Sequence, residues 1–194
     1  MKLLSFLVLI FLSIFGPSKG LAGESSPKIE NGILDLKGWD FKRDGTIDLR
    51  GEWQFYWERF VKPMEVPEVK KGTPVNVPGS WKGLKKGFSK HGYGTYVLKI
   101  INNKNQNISI NGPKSFSAHK LYLYDGEERL IFSNGVSGKN QKEEVPQFKS
   151  RFSKLTKLKK EFYLILHISN FHYRDNLTPL FRMGDPEEIE SGFL

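Results

Sequence analysis

Apolar and polar side chains alternate with a period of two along most of this chain. In Tyr93 to Ile101, Tyr96, Leu98 and Ile100 share one face, and Thr95, Val97 and Lys99 share the other. His119, Leu121 and Leu123 alternate against Lys120, Tyr122 and Tyr124. Phe162, Leu164, Leu166 and Ile168 alternate against Tyr163, Ile165, His167 and Ser169. Successive side chains of a strand point to opposite faces, so this spacing predicts strands. Shorter candidates are Ile33 to Leu36, Val75 to Val77, Ile108 to Ile110, Leu130 to Ser133 and Pro179 to Met183. Turn-forming pairs punctuate them: Asp44-Gly45, Pro78-Gly79, Asn102-Asn103, Asn111-Gly112, Asp125-Gly126 and Asn134-Gly135. Asp125-Gly126 between two β runs signals a hairpin. Many short strands at such spacing predict an all-β chain, a β-sandwich or jelly roll. Trp53 to Phe60 fits both periods. A strand through Trp57 is expected, because aromatics suit pleated surfaces and Gly51 precedes it.

The beginning of the chain has a different pattern. Lys2 precedes an apolar run from Leu3 to Phe15, interrupted only by Ser5 and Ser13 and ended by Gly16-Pro17. Gly20-Leu21-Ala22 then supplies small residues where a signal peptidase reads them. The run is shorter than the roughly 20 residues a spanning helix needs. Residues 1–22 are therefore expected to be a signal peptide cleaved after Ala22, making the protein periplasmic, cell-surface or secreted. Once cleaved, the chain is not expected to span a membrane. The expected organisation continues with a linker at 23–32, the sandwich at 33–184 and a tail at 185–194.

Composition narrows this picture. There is no cysteine, so an exported chain of this size must rely on its core and not on disulfides. The formal charge is +9, or +7 without Lys2 and Lys19. Such a balance suits anionic partners; export argues against nucleic acid. The basic stretch Lys154 to Lys160 reads as a solvated loop or a lysine-guarded edge strand.

The motifs also occur in an informative order. Leu49-Arg50-Gly51-Glu52-Trp53-Gln54-Phe55-Tyr56-Trp57 is followed by Val77-Pro78-Gly79-Ser80-Trp81 and by Gly92-Tyr93-Gly94-Thr95-Tyr96-Val97. Then come Ala118-His119-Lys120-Leu121-Tyr122-Leu123-Tyr124-Asp125-Gly126 and Ile168-Ser169-Asn170-Phe171-His172-Tyr173-Arg174. This series resembles the galactose-binding-like jelly roll at the N-terminus of family 2 glycoside hydrolases. It is similar, more closely, to the extracellular sensor domain found ahead of bacterial seven-transmembrane receptors with diverse intracellular signalling modules. The resemblance covers about residues 30 to 184. It implies a sandwich whose loops hold a carbohydrate-like ligand and which carries no catalytic carboxylates of its own. Nothing in the chain matches a catalytic barrel or receptor membrane helices, so it is expected to be a free-standing sensor-like domain or a truncated receptor ectodomain. Where the family places paired glycines and an aromatic, this chain has Asp175-Asn176-Leu177-Thr178.

The residues themselves point to binding and not to catalysis. Ser80 in Pro-Gly-Ser-Trp lacks the second glycine of a nucleophile elbow. His91, His119, His167 and His172 show no metal-ligand spacing, and neither metal nor cofactor is expected. Asn170, Phe171, His172, Tyr173 and Arg174 follow the apolar strand ending at Ile168, which places them on an end loop where binding residues concentrate. Asn170 and Arg174 would offer donors to ligand oxygens, and Phe171 or Tyr173 a face for a sugar ring. The competing reading is that Asn170 and His172 cap the turn while the aromatics plug the core. Trp53, Trp57 and Trp81 read as core anchors. The expected function is an exported, non-catalytic, carbohydrate-binding-like sensor domain for a carbohydrate or other small molecule. The alternatives are an interaction module for a separately encoded membrane signalling protein and, third, a small hydrolase.

Overall fold

The alternating stretches pair into two sheets that stack through their apolar faces. A computed structural model describes residues 26–82, 84, 88–102, 106–156, 158–174 and 178–192; the stretch expected as a signal peptide, residues 1–22, lies outside them. Strands β1 (Ile29–Glu30) and β2 (Ile33–Asp35) precede helix α1 (Phe41–Asp44), β3 (Ile47–Asp48) and β4 (Gly51–Trp57). A single 3-10 turn, Pro63–Glu65, leads to β5 (Thr73–Val77), β6 (Gly92–Ile101), β7 (Ile108–Gly112), β8 (Ala118–Tyr124) and β9 (Glu128–Asn134). The chain continues through β10 (Arg151–Leu155), β11 (Glu161–Asn170), β12 (Arg182–Gly184) and helix α2 (Pro186–Ser191).

The large sheet has the order β5-β4-β1-β2-β6-β11-β8-β9, and the small sheet β10-β7-β12-β3. The ladders are antiparallel except where β1 meets β4 and β2 meets β6. Asn31 and Gly32 both have positive φ, 53° and 75°, the geometry of the tight hairpin turn between β1 and β2. This small hairpin wedges between β4 and β6 at one end. At the other end those strands pair directly, with Phe55 opposite Tyr96. The stretch expected as a linker at 23–32 thus contributes a paired strand with Ile29 buried.

The inner faces are the alternating apolar sets. Phe162, Leu164, Leu166 and Ile168 of β11 meet Ile108, Ile110 and Met183 of the small sheet in one core with Trp53, Phe55, Trp81 and Tyr96. Each such aliphatic side chain contributes roughly 1.5–3 kcal/mol on full burial. Trp53 and Phe55 lie inward on β4 as strand periodicity predicts, and Trp57 is partly buried against the same cluster. Gly94 makes this packing feasible, since a Cβ there would stand 2.6 Å from the Phe55 ring.

Two regions depart from simple alternation. Val97 and Ile165 face away from the main core yet are buried, because Val61 and Val66 in the segment after β4 fold over them. Residues 185–192, expected as a tail, include α2. Asp185 caps it by accepting from Glu187 N–H at 3.0 Å, Pro186 opens it and Ile189 is buried. Aspartate followed by proline is a helix-start signal. Lys154–Leu155, from the basic stretch, ends the edge strand β10, and Lys154 pairs with Glu190 of α2 at 2.6 Å. Among the described residues no helix is long and apolar enough to cross a membrane.

Candidate functional site

Strand β11 ends in a turn that is fastened from two sides. Asn170 is fully buried; its Nδ2 donates to Tyr173 O at 3.0 Å, and its Oδ1 accepts from Tyr173 N–H at 3.2 Å. An asparagine closing the backbone in this way defines the turn. Beneath it lies Glu144, only 4% exposed. One carboxylate oxygen accepts from the Ser169 hydroxyl at 2.7 Å. The other accepts from Phe171 N–H and from His172 Nδ1–H, both at 2.7 Å. Ser169 Oγ in turn accepts from Gly138 N–H at 3.1 Å, so the loop before Glu144 is drawn in as well. Nothing in the polar stretch Lys142-Glu143-Glu144 distinguishes this carboxylate by sequence.

Of the five residues expected to bind ligand, Asn170 is buried and His172 is fastened by one ring nitrogen while staying exposed. Asn170 spends its amide on its own turn, and His172 has Nδ1 committed to Glu144. Both act as the capping alternative predicts. Phe171 is half-buried, while His172, Tyr173 and Arg174 are exposed. Asp175, Asn176 and Leu177 lie outside the described residues. Thr178 is buried; its Oγ1 donates to Gly79 O at 3.1 Å and lies 2.8 Å from the Tyr96 hydroxyl. Burial pushes that phenol far above its usual range.

Tyr173 joins two aromatics that strand periodicity does not single out. Its ring centroid is 4.8 Å from that of Phe116, which stacks on Phe148 at 4.3 Å and 18°. Phe116 and Phe148 are each 50% exposed and Tyr173 37%. Their only sequence signal is a large apolar residue inside a polar loop, in Lys114-Ser115-Phe116-Ser117 and Gln147-Phe148-Lys149. The loops are positioned by Asn134, buried at the end of β9. Its Nδ2 donates to Ser115 O and to Gln147 O, both at 2.9 Å. Its Oδ1 accepts from Lys149 N–H at 3.3 Å. The aromatic platform is thus held from below and open above. Phe116 also borders a cleft of about 370 Å³ lined by Pro78, Lys114, Ser115 and Thr178.

Ser169, His119 and His167 are tied into the fold. A hydrolytic triad needs a base bonded to the nucleophile. Here the Glu144 carboxylate stands between Ser169 and His172, and Ser169 is fully buried. His119 Nδ1–H donates to Ser117 O at 2.9 Å, and burial drives its pKa down to about 4. His167 Nε2–H donates to Val61 O at 2.7 Å, and burial lowers its pKa too. Among the described residues no group of three His, Asp or Glu side chains could hold a metal.

No protein-family model and no curated protein matches the sequence. Among solved structures, the chain is similar to a family 2 β-galacturonidase from Eisenbergiella tayi bound to galacturonate. That match covers 72% of this chain and 24% of the enzyme, with 13% identity and a TM-score of 0.47. A β-glucuronidase from Faecalibacterium prausnitzii matches over 73% of this chain and 31% of its own, with 13% identity and a TM-score of 0.49. A β-glucosidase from Kluyveromyces marxianus in complex with glucose matches over 89% and 21%, with 17% identity and a TM-score of 0.39. The chain spans between a fifth and a third of the length of these enzymes. The likeness concerns the fold alone, a sheet-rich β-sandwich.

Proposed function

We propose that this protein is an exported, non-catalytic domain that binds carbohydrate at the aromatic end of the sandwich and serves as a sensor or ligand-binding ectodomain. The observation that carries this reading is the Phe116–Phe148–Tyr173 platform. Three aromatic rings stand open to solvent, two on loops held by buried Asn134 and the third on the turn closed by Asn170, beside a cleft whose size falls within the range of small-molecule sites. Aromatic faces stack on the apolar faces of sugar rings, and Lys114 and Ser115 on the cleft wall supply donors for hydroxyl or carboxylate oxygens. The N-terminal apolar run supports export to the periplasm, the cell surface or the medium.

The test is a thermal-shift screen of the purified protein against neutral and acidic sugars and cell-wall fragments. A ligand that binds only the native state raises apparent stability, by about 2.7 kcal/mol at a hundredfold excess over Kd. Stabilisation that disappears in Phe116→Ala is the expected result. An unmoved melting curve across the whole panel, together with a stable complex in a pull-down from envelope extracts, would favour an interaction module for a membrane signalling protein instead.

A further inference from the structure

The outer face of the small sheet runs into the aromatic cleft. Cross-strand register aligns Phe152, Asn111, Arg182 and Asp48 in one row across β10, β7, β12 and β3. Their strand neighbours Ile47, Ile110 and Met183 are buried, so the row faces outward. Three clefts follow one another beside it. The first, about 570 Å³, lies where β1 and β4 begin and includes Lys28 and Arg50 together with Asp48 and Arg182. The second, about 190 Å³, shares Asp48 and Arg182 with the first and adds Asn111. It shares Pro113 and Leu180 with the third, the cleft bordered by Phe116. The shared walls make one groove.

The groove has a sign. Lys28, Arg50, Arg182 and Lys114 line it, against Glu30 and Asp48. Asp48 is already engaged, accepting from Arg182 Nε at 2.8 Å. That bond orients the guanidinium, a planar fork that matches carboxylate geometry. The two end clefts fall within the size range of small-molecule sites, whereas the middle one is too small to hold a ligand of its own and suits the linkage between units.

We propose that this groove binds an extended acidic polysaccharide, with sugar rings stacked at the Phe116 end and carboxylates paired with Arg182, Arg50 and Lys28. The proposal rests on the carbohydrate reading above and extends it from a single sugar to a charged chain.

The experiment compares four probes by titration against the full protein: polygalacturonate, its methyl-esterified form, a neutral glucan and single-stranded DNA. Polygalacturonate is expected to bind in a salt-dependent manner, with the ester about tenfold weaker or more. Arg182→Gln and Arg50→Gln each lower affinity for the acid polymer about tenfold, the loss that accompanies one charge-assisted hydrogen bond. Neither changes binding of the neutral glucan, whereas Phe116→Ala weakens both polymers. Circular dichroism confirms that these surface variants fold. Equal affinity for the ester, or DNA bound as tightly as polygalacturonate, would overturn the proposal. A neutral glucan that binds while polygalacturonate does not sinks the acidic groove but leaves the carbohydrate reading intact. No binding of any sugar polymer removes both.

Discussion

Two aromatic clusters in this molecule share a chemistry and differ in everything else. Phe55 stacks on Trp81 at 5.8 Å and 9°, and meets Tyr96 at 4.4 Å, inside a core where Trp53, Trp81 and Tyr96 have no exposed surface. Phe116, Phe148 and Tyr173 pack as closely but stand in loops with a third to a half of their surface in water. The inner cluster is assembled by strand periodicity and by Gly94. The outer one is assembled by Asn134, which pins the loops of Phe116 and Phe148, and by the Asn170 turn that carries Tyr173. Burial explains the first cluster through stability. The second leaves apolar area in water, which folding alone does not require, and this is why recognition is sought there.

Trp53→Ala should have the largest effect. It removes a fully buried indole whose Nε1–H donates to Leu49 O at 3.2 Å. Large aromatic truncations in cores cost about 3–5 kcal/mol. Urea denaturation would measure it, and a loss under 1 kcal/mol would break the distinction between the clusters.

Next in size is an effect of pH on the same core. His119 lies edge-on to Phe132 and Phe181 and is held neutral mainly by burial, with the charge of Arg151 acting in the same direction. Its folded pKa is about 4, against about 6.5 for a free imidazole. Between those values the unfolded chain takes up a proton that the native one refuses. Stability therefore declines as pH falls from about 6.5 and levels off near 4, by about 3 kcal/mol in all. His119→Leu should flatten this slope in denaturation series at pH 7, 5.5 and 4.5, leaving the smaller slope due to His167.

A third comparison concerns the turn that carries Tyr173. Glu144→Ala strands the Ser169 hydroxyl, the Phe171 N–H and the His172 Nδ1–H. Buried donors left unpaired cost about 1–3 kcal/mol each before relaxation and water entry reduce it, so a net loss of about 2–3 kcal/mol is expected. Glu144→Gln keeps an acceptor and should recover part of it. Because the clamp lies under the platform, amide exchange in residues 169–173 should accelerate in the alanine variant.

The inner cluster was legible in the sequence, and the outer one largely was not. Period two placed Tyr96, Leu98 and Ile100 on the buried face of β6, and Asp125-Gly126 at a real hairpin, because both are local consequences of strand geometry. The Asn31-Gly32 turn and the Asp185-Pro186 cap were equally local signals within segments read as linker and tail. Glu144, Asn134, Phe116 and Phe148 have no local signal. What each does is set by a partner 13 to 32 residues away, so only the closed sandwich reveals it. The same holds in reverse for His172, whose residue type suggests binding and whose distant partner Glu144 fastens it to the turn; Asn170 is tied locally, to Tyr173.

The smallest effect on stability should be the most informative about function. Phe116→Ala and Phe148→Ala remove half-exposed rings whose loops are held independently by Asn134 through backbone carbonyls. Little burial is lost, and a stacked pair contributes about 0.5–1.5 kcal/mol, so the double variant should melt within a few degrees of the parent. Ligand-induced stabilisation should nevertheless vanish, whereas Trp53→Ala, wherever it still folds, should retain it. A double variant that unfolds outright would mean that the outer rings serve the core after all, and the contrast between the two clusters would collapse into one of degree.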